Sequence, residues 1–301
     1  MEISAKVVMA LREQTGAGMM DCKRALVDAN GDMDKAAELL RERGIAKAAK
    51  RASKVAAEGI VYATVENGVG VLIEVNCESD FVAKGDKFHD LVVAVAKVAA
   101  CKKPATVEDL LAQDMGGKTV DTFIQEQVGI IGEKISVRRF KIFESAGLVE
   151  TYIHMGGTMG VMLNFACTEN EEARELAHNI ALHVAFAKPQ YCFASEVSAE
   201  TIEKEKEILK KEVMNEGKPE AIAEKIVLGR IKKFYEENCL MEQKFVKDDT
   251  VTVKELIERT AKTAGKIELK EFCFFVMGQG LEQKSEDLSE EVAKQVEAMK
   301  K

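Results

Sequence analysis

The 301-residue chain reads as an α+β protein: a three-helix start, a duplicated core of helices layered on antiparallel sheet, and an antiparallel helical hairpin inserted into the second copy. Three features lead there. The hydrophobic period changes from 3.6 to 2 at Glu58 and reverts at Phe81. A set of strand and helix residues recurs roughly ninety positions later. Two highly charged helical stretches then interrupt the second copy. The 47% apolar content supplies more than one core, and only three prolines interrupt 301 residues, which suits long helices.

In the first 54 residues, Ile3, Val7, Val8 and Leu11 recur at helical spacing and stop at Thr15-Gly16. A second helix spans Met20 to Ala29 and closes at Asn30-Gly31. Asp32 or Asp34 caps a third, with Ala36, Ala37, Leu39 and Leu40 inward and Gly44 as its terminator. From Arg41 to Lys54 the chain is basic: six cations (Arg41, Arg43, Lys47, Lys50, Arg51, Lys54) against Glu42. Either a solvated helix face with a linker or a patch for an acidic protein partner fits that run.

Ile60, Tyr62 and Thr64 alternate with Val61, Ala63 and Val65, and Asn67-Gly68 turns the chain into a second strand, Val69 to Cys77. Phe81 to Ala100 is helical through Phe88, Leu91, Val92, Val95 and Val98. The pattern then repeats. Gly59-Ile60-Val61 matches Gly147-Leu148-Val149, and Gly70 to Ile73 with Cys77 matches Gly160 to Leu163 with Cys167. In the following helix His89, Leu91 and Val95 match His178, Ile180 and Val184, an offset of 89. Ile135-Ser136-Val137 matches Ile267-Glu268-Leu269 at 132, so the second copy carries an insertion. Ser198 to Asn215 and Ala221 to Asn238 form it, joined at Glu216-Gly217-Lys218-Pro219, with Ile202, Ile208 and Leu209 facing Ile222, Ile226, Val227 and Ile231.

The net charge of -8 argues against generic nucleic-acid binding, which needs Lys and Arg to neutralise phosphate. Seven cysteines without a CxxC pair point to reduced thiols, with no metal and no cofactor. No apolar run approaches a membrane span, and the start lacks a secretion or transit pattern, so a cytoplasmic location is expected. Enzyme signatures fail one by one. Gly117-Lys118-Thr119 ends like a phosphate loop, but Ala112 holds the first glycine position and Val107 to Ala112 reads as helix. Direct nucleotide binding is therefore not expected. Met155-Gly156-Gly157-Thr158 is a hairpin loop, and His178 and His183 lack zinc-protease spacing. Nothing resembles a nucleophile constellation.

What stands out is the corner Glu78-Ser79-Asp80-Phe81-Val82-Ala83-Lys84, where Ser79 or Asp80 caps the following helix. The matching corner, Glu169-Asn170-Glu171, has no aromatic. Phe81 falls in the first helical turn, where an aromatic often simply packs underneath; a requirement of the shared fold would put an apolar residue in both corners, so the asymmetry favours a task for Phe81 beyond folding.

Thr15-Gly16-Ala17-Gly18-Met19-Met20-Asp21-Cys22-Lys23 and Val75-Asn76-Cys77-Glu78-Ser79-Asp80-Phe81-Val82-Ala83 closely resemble the elongation factor Ts family; Lys134 to Arg139, Gly217-Lys218-Pro219 and Gly229-Arg230 continue the likeness along the chain. The resemblance implies a ubiquitin-associated-like module (1–54), a core in two repeats (55–145 and 146–282, with a coiled-coil insertion at about 190–245) and a C-terminal helical segment (283–301). It also implies guanine nucleotide exchange on elongation factor Tu, without catalytic residues. Arg12, Met19 and Met20 would meet the partner's nucleotide-binding domain. Asp80, Phe81, Val82 and Ala83 would intrude near its magnesium, and His154 and Val246 would add contacts from the second half. Ser79 replaces a common threonine and should cap as well; Thr158 stands where a basic residue is frequent.

Overall fold

The computed structural model describes residues 3–215 and 219–281. The 283–301 segment, the Glu216-Gly217-Lys218 part of the hairpin turn and the side chain of Ile222 lie outside that description.

Three helices open the chain: α1 (Ala5–Thr15), α2 (Met19–Asp28) and α3 (Met33–Arg51). Ser4 caps α1 by accepting from the Val7 N–H, Gly16 ends it in the left-handed region at φ 67°, and Asp32 caps α3 by accepting from Asp34 and Lys35. Val8, Leu11, Cys22, Ala25, Leu26 and Ala36 bury together as a small separate core. Gly44 is not a terminator. The helix runs through it to Arg51, and Gly44 is buried where α3 crosses α7 (Val120–Ile131) at Gly129. A glycine inside a helix weakens it modestly; it stops one only where its own φ turns positive or the capping contacts demand it. The basic run is a largely exposed face of α3 followed by the link to β1, as the first reading expects; Arg41 pairs with Glu126, Arg43 with Asp28, Lys47 with Asp21 and Arg51 with Glu78, while Lys50 and Lys54 stay exposed.

Two three-stranded antiparallel sheets form the centre. The first has the order β1 (Glu58–Glu66), β2 (Val69–Cys77), β3 (Ser136–Glu144); in the second, β5 (Met159–Cys167) lies between β4 (Leu148–His154) and β8 (Ile267–Val276). A two-stranded ribbon, β6 (Lys244–Phe245) with β7 (Asp248–Thr252), stands apart. The bulges fall at equivalent places, Glu74/Val75 against β3 and Asn164/Phe165 against β8, so the strand repeat holds at offsets of 90 and 132. Between the sheets lies a layer of Val61, Leu72, Phe143, Val149, Met162 and Phe275. Its close contacts are reciprocal: a Cβ on Gly70 would strike Val149 and Met162, and one on Gly160 would strike Val61 and Leu72. The two units meet about a local two-fold, like an isologous dimer within one chain.

Each sheet carries helices on its outer face. In the first unit these are α5 (Asp86–Lys102) and α7, with the short α6 (Val107–Ala112); in the second, α8 (Glu171–Ala187) and α11 (Val253–Ala264). The helix offset is 85, not 89. Shifting α5 by 85 superposes all seven of its buried residues, from Phe88 to Ala100, on buried residues of α8, from Ala173 to Ala185. It also places Lys103 on Lys188, both left-handed at φ 50°, ψ 52°. A four-residue slip rotates a helix by only about 40°, so periodicity alone barely separates the two registers. The α7 and α11 pair repeats as well, each capped by a threonine (Thr119, Thr252) and followed by a glycine near φ 89° (Gly132, Gly265).

Beyond α8, the helices α9 (Ala199–Asn215) and α10 (Glu220–Asn238) pack on each other as an inserted hairpin. Ile202 and Val213 on α9 and Ala223, Val227 and Ile231 on α10 are buried, whereas Ile208 is exposed, contrary to the inward placement read from the sequence.

Candidate functional site

The break in the internal symmetry is the corner after β2. The first unit takes residues 78–85 to pass from β2 to α5, whereas the second passes from β5 to α8 in residues 168–170. The longer link holds a separate helix, α4 (Asp80–Ala83), so the helical stretch read from Phe81 is two helices split at Gly85. The second unit lacks not only the aromatic but the whole turn that presents it.

Four residues cannot sustain a helix by themselves. The Ser79 hydroxyl accepts from the Val82 N–H at 3.4 Å, and Ala83, buried in the first unit's core, anchors the turn underneath. Glu78 joins the corner to α3 and to the α7–β3 turn: its carboxylate accepts from the Arg51 guanidinium at 2.8 Å and the Lys134 N–H at 2.6 Å. Burial alone would raise the Glu78 pKa, but those two donors outweigh it and hold the carboxyl below its usual range. Behind the turn, the Cys77 thiol donates to the Ser79 carbonyl at 3.2 Å, and burial pushes its pKa up to about 12. At that value it remains a thiol and an inert core group.

On this base Phe81 points outward, 84% exposed, the most exposed of the large apolar side chains among the described residues. Val82 is half-buried beside it, and Asp80 pairs with Lys84 at 2.7 Å across one helical turn, which lowers the Asp80 pKa. A shallow pocket beside the ring is lined by Val82, Lys87, Phe88, Ile130 and Ile131. Lys87 donates to the Gly16 carbonyl at 3.4 Å, and a Cβ on Gly16 would touch the Ile130 side chain. The α1–α2 turn therefore lies beside the corner, with Arg12 exposed just before it and Met19 and Met20 exposed just after (39% and 64%).

His154 and Val246 lie elsewhere. His154 is half-buried at the end of β4, its Nδ1 in a 2.8 Å hydrogen bond with the Tyr152 hydroxyl, next to the exposed Met155. Thr158 donates to the Met155 carbonyl and closes that loop. Val246 is exposed at the ribbon turn, and its N–H donates to Nδ1 of His183. His183 itself is buried, with Nε2 bonded to Gln243 at 2.9 Å; it is a satisfied core histidine, and His178 an exposed one beside Glu150.

No group of three or more His, Cys, Asp or Glu among the described residues is arranged to hold a metal. The Gly116-Gly117 turn delivers Lys118 to Glu126 and over the Phe123 ring, and Thr119 caps α7 with its own hydroxyl. That leaves the lysine committed within the fold. No described helix is long and apolar enough to cross a membrane.

The corner, β3 and the whole second sheet fall within the segment, residues 78–279, that matches the family model described as Elongation factor TS, whereas β1 and β2 precede it. Among similar proteins, an elongation factor Ts from Clostridium perfringens is 47% identical across 97% of this chain and 98% of its own length. One from Symbiobacterium thermophilum is 48% identical across 98% of each, and one from Clostridium kluyveri is 44% identical across 98% and 99%.

Proposed function

The chain belongs to the elongation factor Ts family, and from that premise we propose that it binds elongation factor Tu in its GDP form, dislodges Mg²⁺ and speeds GDP release, so that GTP rebinds during translation elongation. The observation that carries this reading is the exposed Phe81 on a braced corner for which the duplicated fold has no use.

The mechanism is linkage. A factor that binds the GTPase more tightly when nucleotide and Mg²⁺ are absent must weaken their binding by the same factor. A ~10⁴-fold weakening needs about 5.5 kcal/mol of differential contact. Burying the Phe81 ring in the partner contributes roughly 1.5–3 kcal/mol. The remainder comes from Asp80 and Val82 beside the ring, from Arg12, Met19 and Met20 on the ubiquitin-associated-like module, and from the His154 and Val246 surfaces. Thr158 supplies no charge to that second surface. Since no chemistry is performed, the factor needs no catalytic residue and no cofactor.

An RNA-binding alternative finds little support, because four of the six cations in the basic run are already paired with carboxylates of the same chain. The test is stopped-flow release of a fluorescent GDP from elongation factor Tu at saturating factor. Phe81→Ala should slow release about tenfold or more while the complex still forms. Unchanged release in that variant sinks the wedge.

A further inference from the structure

We propose that Glu133, in the turn between α7 and β3, is the positioning residue of the Phe81 corner. This rests on the reading of Phe81 as the wedge and extends it to the group that holds the wedge still.

One carboxylate makes three bonds to the corner. Glu133 Oε2 accepts from the Glu78 N–H at 3.1 Å and the Ser79 N–H at 2.9 Å, and Oε1 accepts from the Ser79 hydroxyl at 2.6 Å. The third bond determines what the hydroxyl does next. A serine has one proton to give. Once it is directed at Glu133, the oxygen lone pairs turn towards the Val82 N–H and complete the cap of α4. Glu133 thus sets the orientation of the cap from outside the helix, through charge-assisted bonds.

The rest of the turn is anchored too. Lys134 donates its backbone N–H to Glu78 and its ammonium to the Ala52 and Lys54 carbonyls at 2.7 and 2.8 Å. The clasp therefore reaches from the end of α3 to Ser79.

The second unit shows that the fold does not require it. After α11 the chain runs Gly265-Lys266-Ile267, against Gly132-Glu133-Lys134-Ile135 after α7. The extra residue and the carboxylate occur only in the unit that has the corner. In the second unit the Asn170 side chain donates to the Ala264 carbonyl and ties the same helix end to its short link. A tie between that helix end and the link is thus met in both units, but only in the first is it a carboxylate that holds the cap of a projecting turn.

The chain has no tryptophan, so Phe81→Trp installs a single fluorescent reporter at the tip. In that background Glu133→Ala should lower the tryptophan anisotropy and raise amide exchange at residues 80–83 about tenfold or more, from the loss of three hydrogen bonds to a charged acceptor. The thermal midpoint of the whole protein should hardly move. In the otherwise unchanged protein, Glu133→Ala should reduce the maximal GDP-release rate several-fold more than it raises the half-saturating concentration. Glu133→Gln, which keeps an acceptor for the two N–H groups, should recover part of both effects. Unchanged anisotropy and exchange at the corner overturn the proposal, as does a release defect that merely tracks a fall in global stability. Looser corner amides combined with normal release by Phe81→Ala would instead refute the wedge and leave the clasp standing.

Discussion

Gly44 and Gly129 face each other where α3 crosses α7, yet they are not equivalent. A Cβ on Gly129 would lie 2.5 Å from the Gly44 Cα, whereas a Cβ on Gly44 would lie 3.6 Å from the Gly129 Cα, ordinary contact. Both sit in helices with negative φ, so alanine at either gains helix propensity of about 1 kcal/mol. That gain cancels when the two variants are compared. What remains is the steric term: at Gly129 the helices must part by ~1 Å to reach normal carbon–carbon distance, an overpacking cost of about 1–3 kcal/mol. Gly44→Ala should therefore be neutral or stabilising, and Gly129→Ala should be less stable than it by about 1–3 kcal/mol. Urea denaturation followed by circular dichroism gives the difference. Hydrogen exchange gives its location, with protection lost in residues 41–51 and 120–131 but kept in β2. Equal stabilities would refute the close crossing, and loss of protection in β2 alone would refute its placement.

Glu74 is wholly buried and accepts from Arg138 at 2.9 Å, Arg139 at 2.6 Å and the Gly278 N–H at 2.8 Å, joining the first sheet to the end of β8. Glu74→Leu should cost about 3 kcal/mol in denaturant titration, the low end for a broken buried pair because both arginines are partly solvated; a loss under about 1 kcal/mol would refute the role. Burial holds the His183 pKa below the ordinary 6.5, outweighing the Gln243 bond that favours the charged form. Above about 6.5 the full stability is present. As pH falls from there towards the lowered folded value, the unfolded state takes the proton first and stability drops, by up to about 1.4 kcal/mol per pH unit. Thermal midpoints from pH 7.5 to 5 should show this slope, and His183→Asn should flatten it; identical slopes would refute the assignment.

The strands were legible because their signals are local. Asn67-Gly68 has the left-handed φ values that the turn demands, and an alternating pattern slipped by one residue would expose its whole buried set. Helix register was less legible, since a four-residue slip nearly preserves the buried face. A cleaner signal is the pair Lys103-Pro104 and Lys188-Pro189, which end both helices at the true offset. Gly44 is ambiguous in sequence, because a glycine that admits a neighbouring backbone looks like one that ends a helix. The exposed Phe81 was inferred from the asymmetry of the two corners. Glu133 was not, because its two partners, Glu78 and Ser79, are more than fifty residues away, and a carboxylate after a helix carries no local mark of what it will hold.

Duplication separates what the fold requires from what function adds. Two units packed about a local two-fold impose the same demands on matching positions, so bulges, caps and interface glycines recur. Selection for stability alone has no reason to treat the copies differently. The departures are therefore the places to look: the α4 corner with its Glu133 clasp in one copy, the α9–α10 hairpin in the other. The first projects an aromatic ring on a short, heavily braced turn, a geometry that resists deflection when pressed into a partner. A ring on a compliant loop would be ordered by the partner, and that ordering would consume binding energy otherwise available to weaken nucleotide affinity. On the proposed wedge reading, rigidity at the tip is part of the exchange mechanism itself, and the bracing falls at the corner whose aromatic the core leaves exposed.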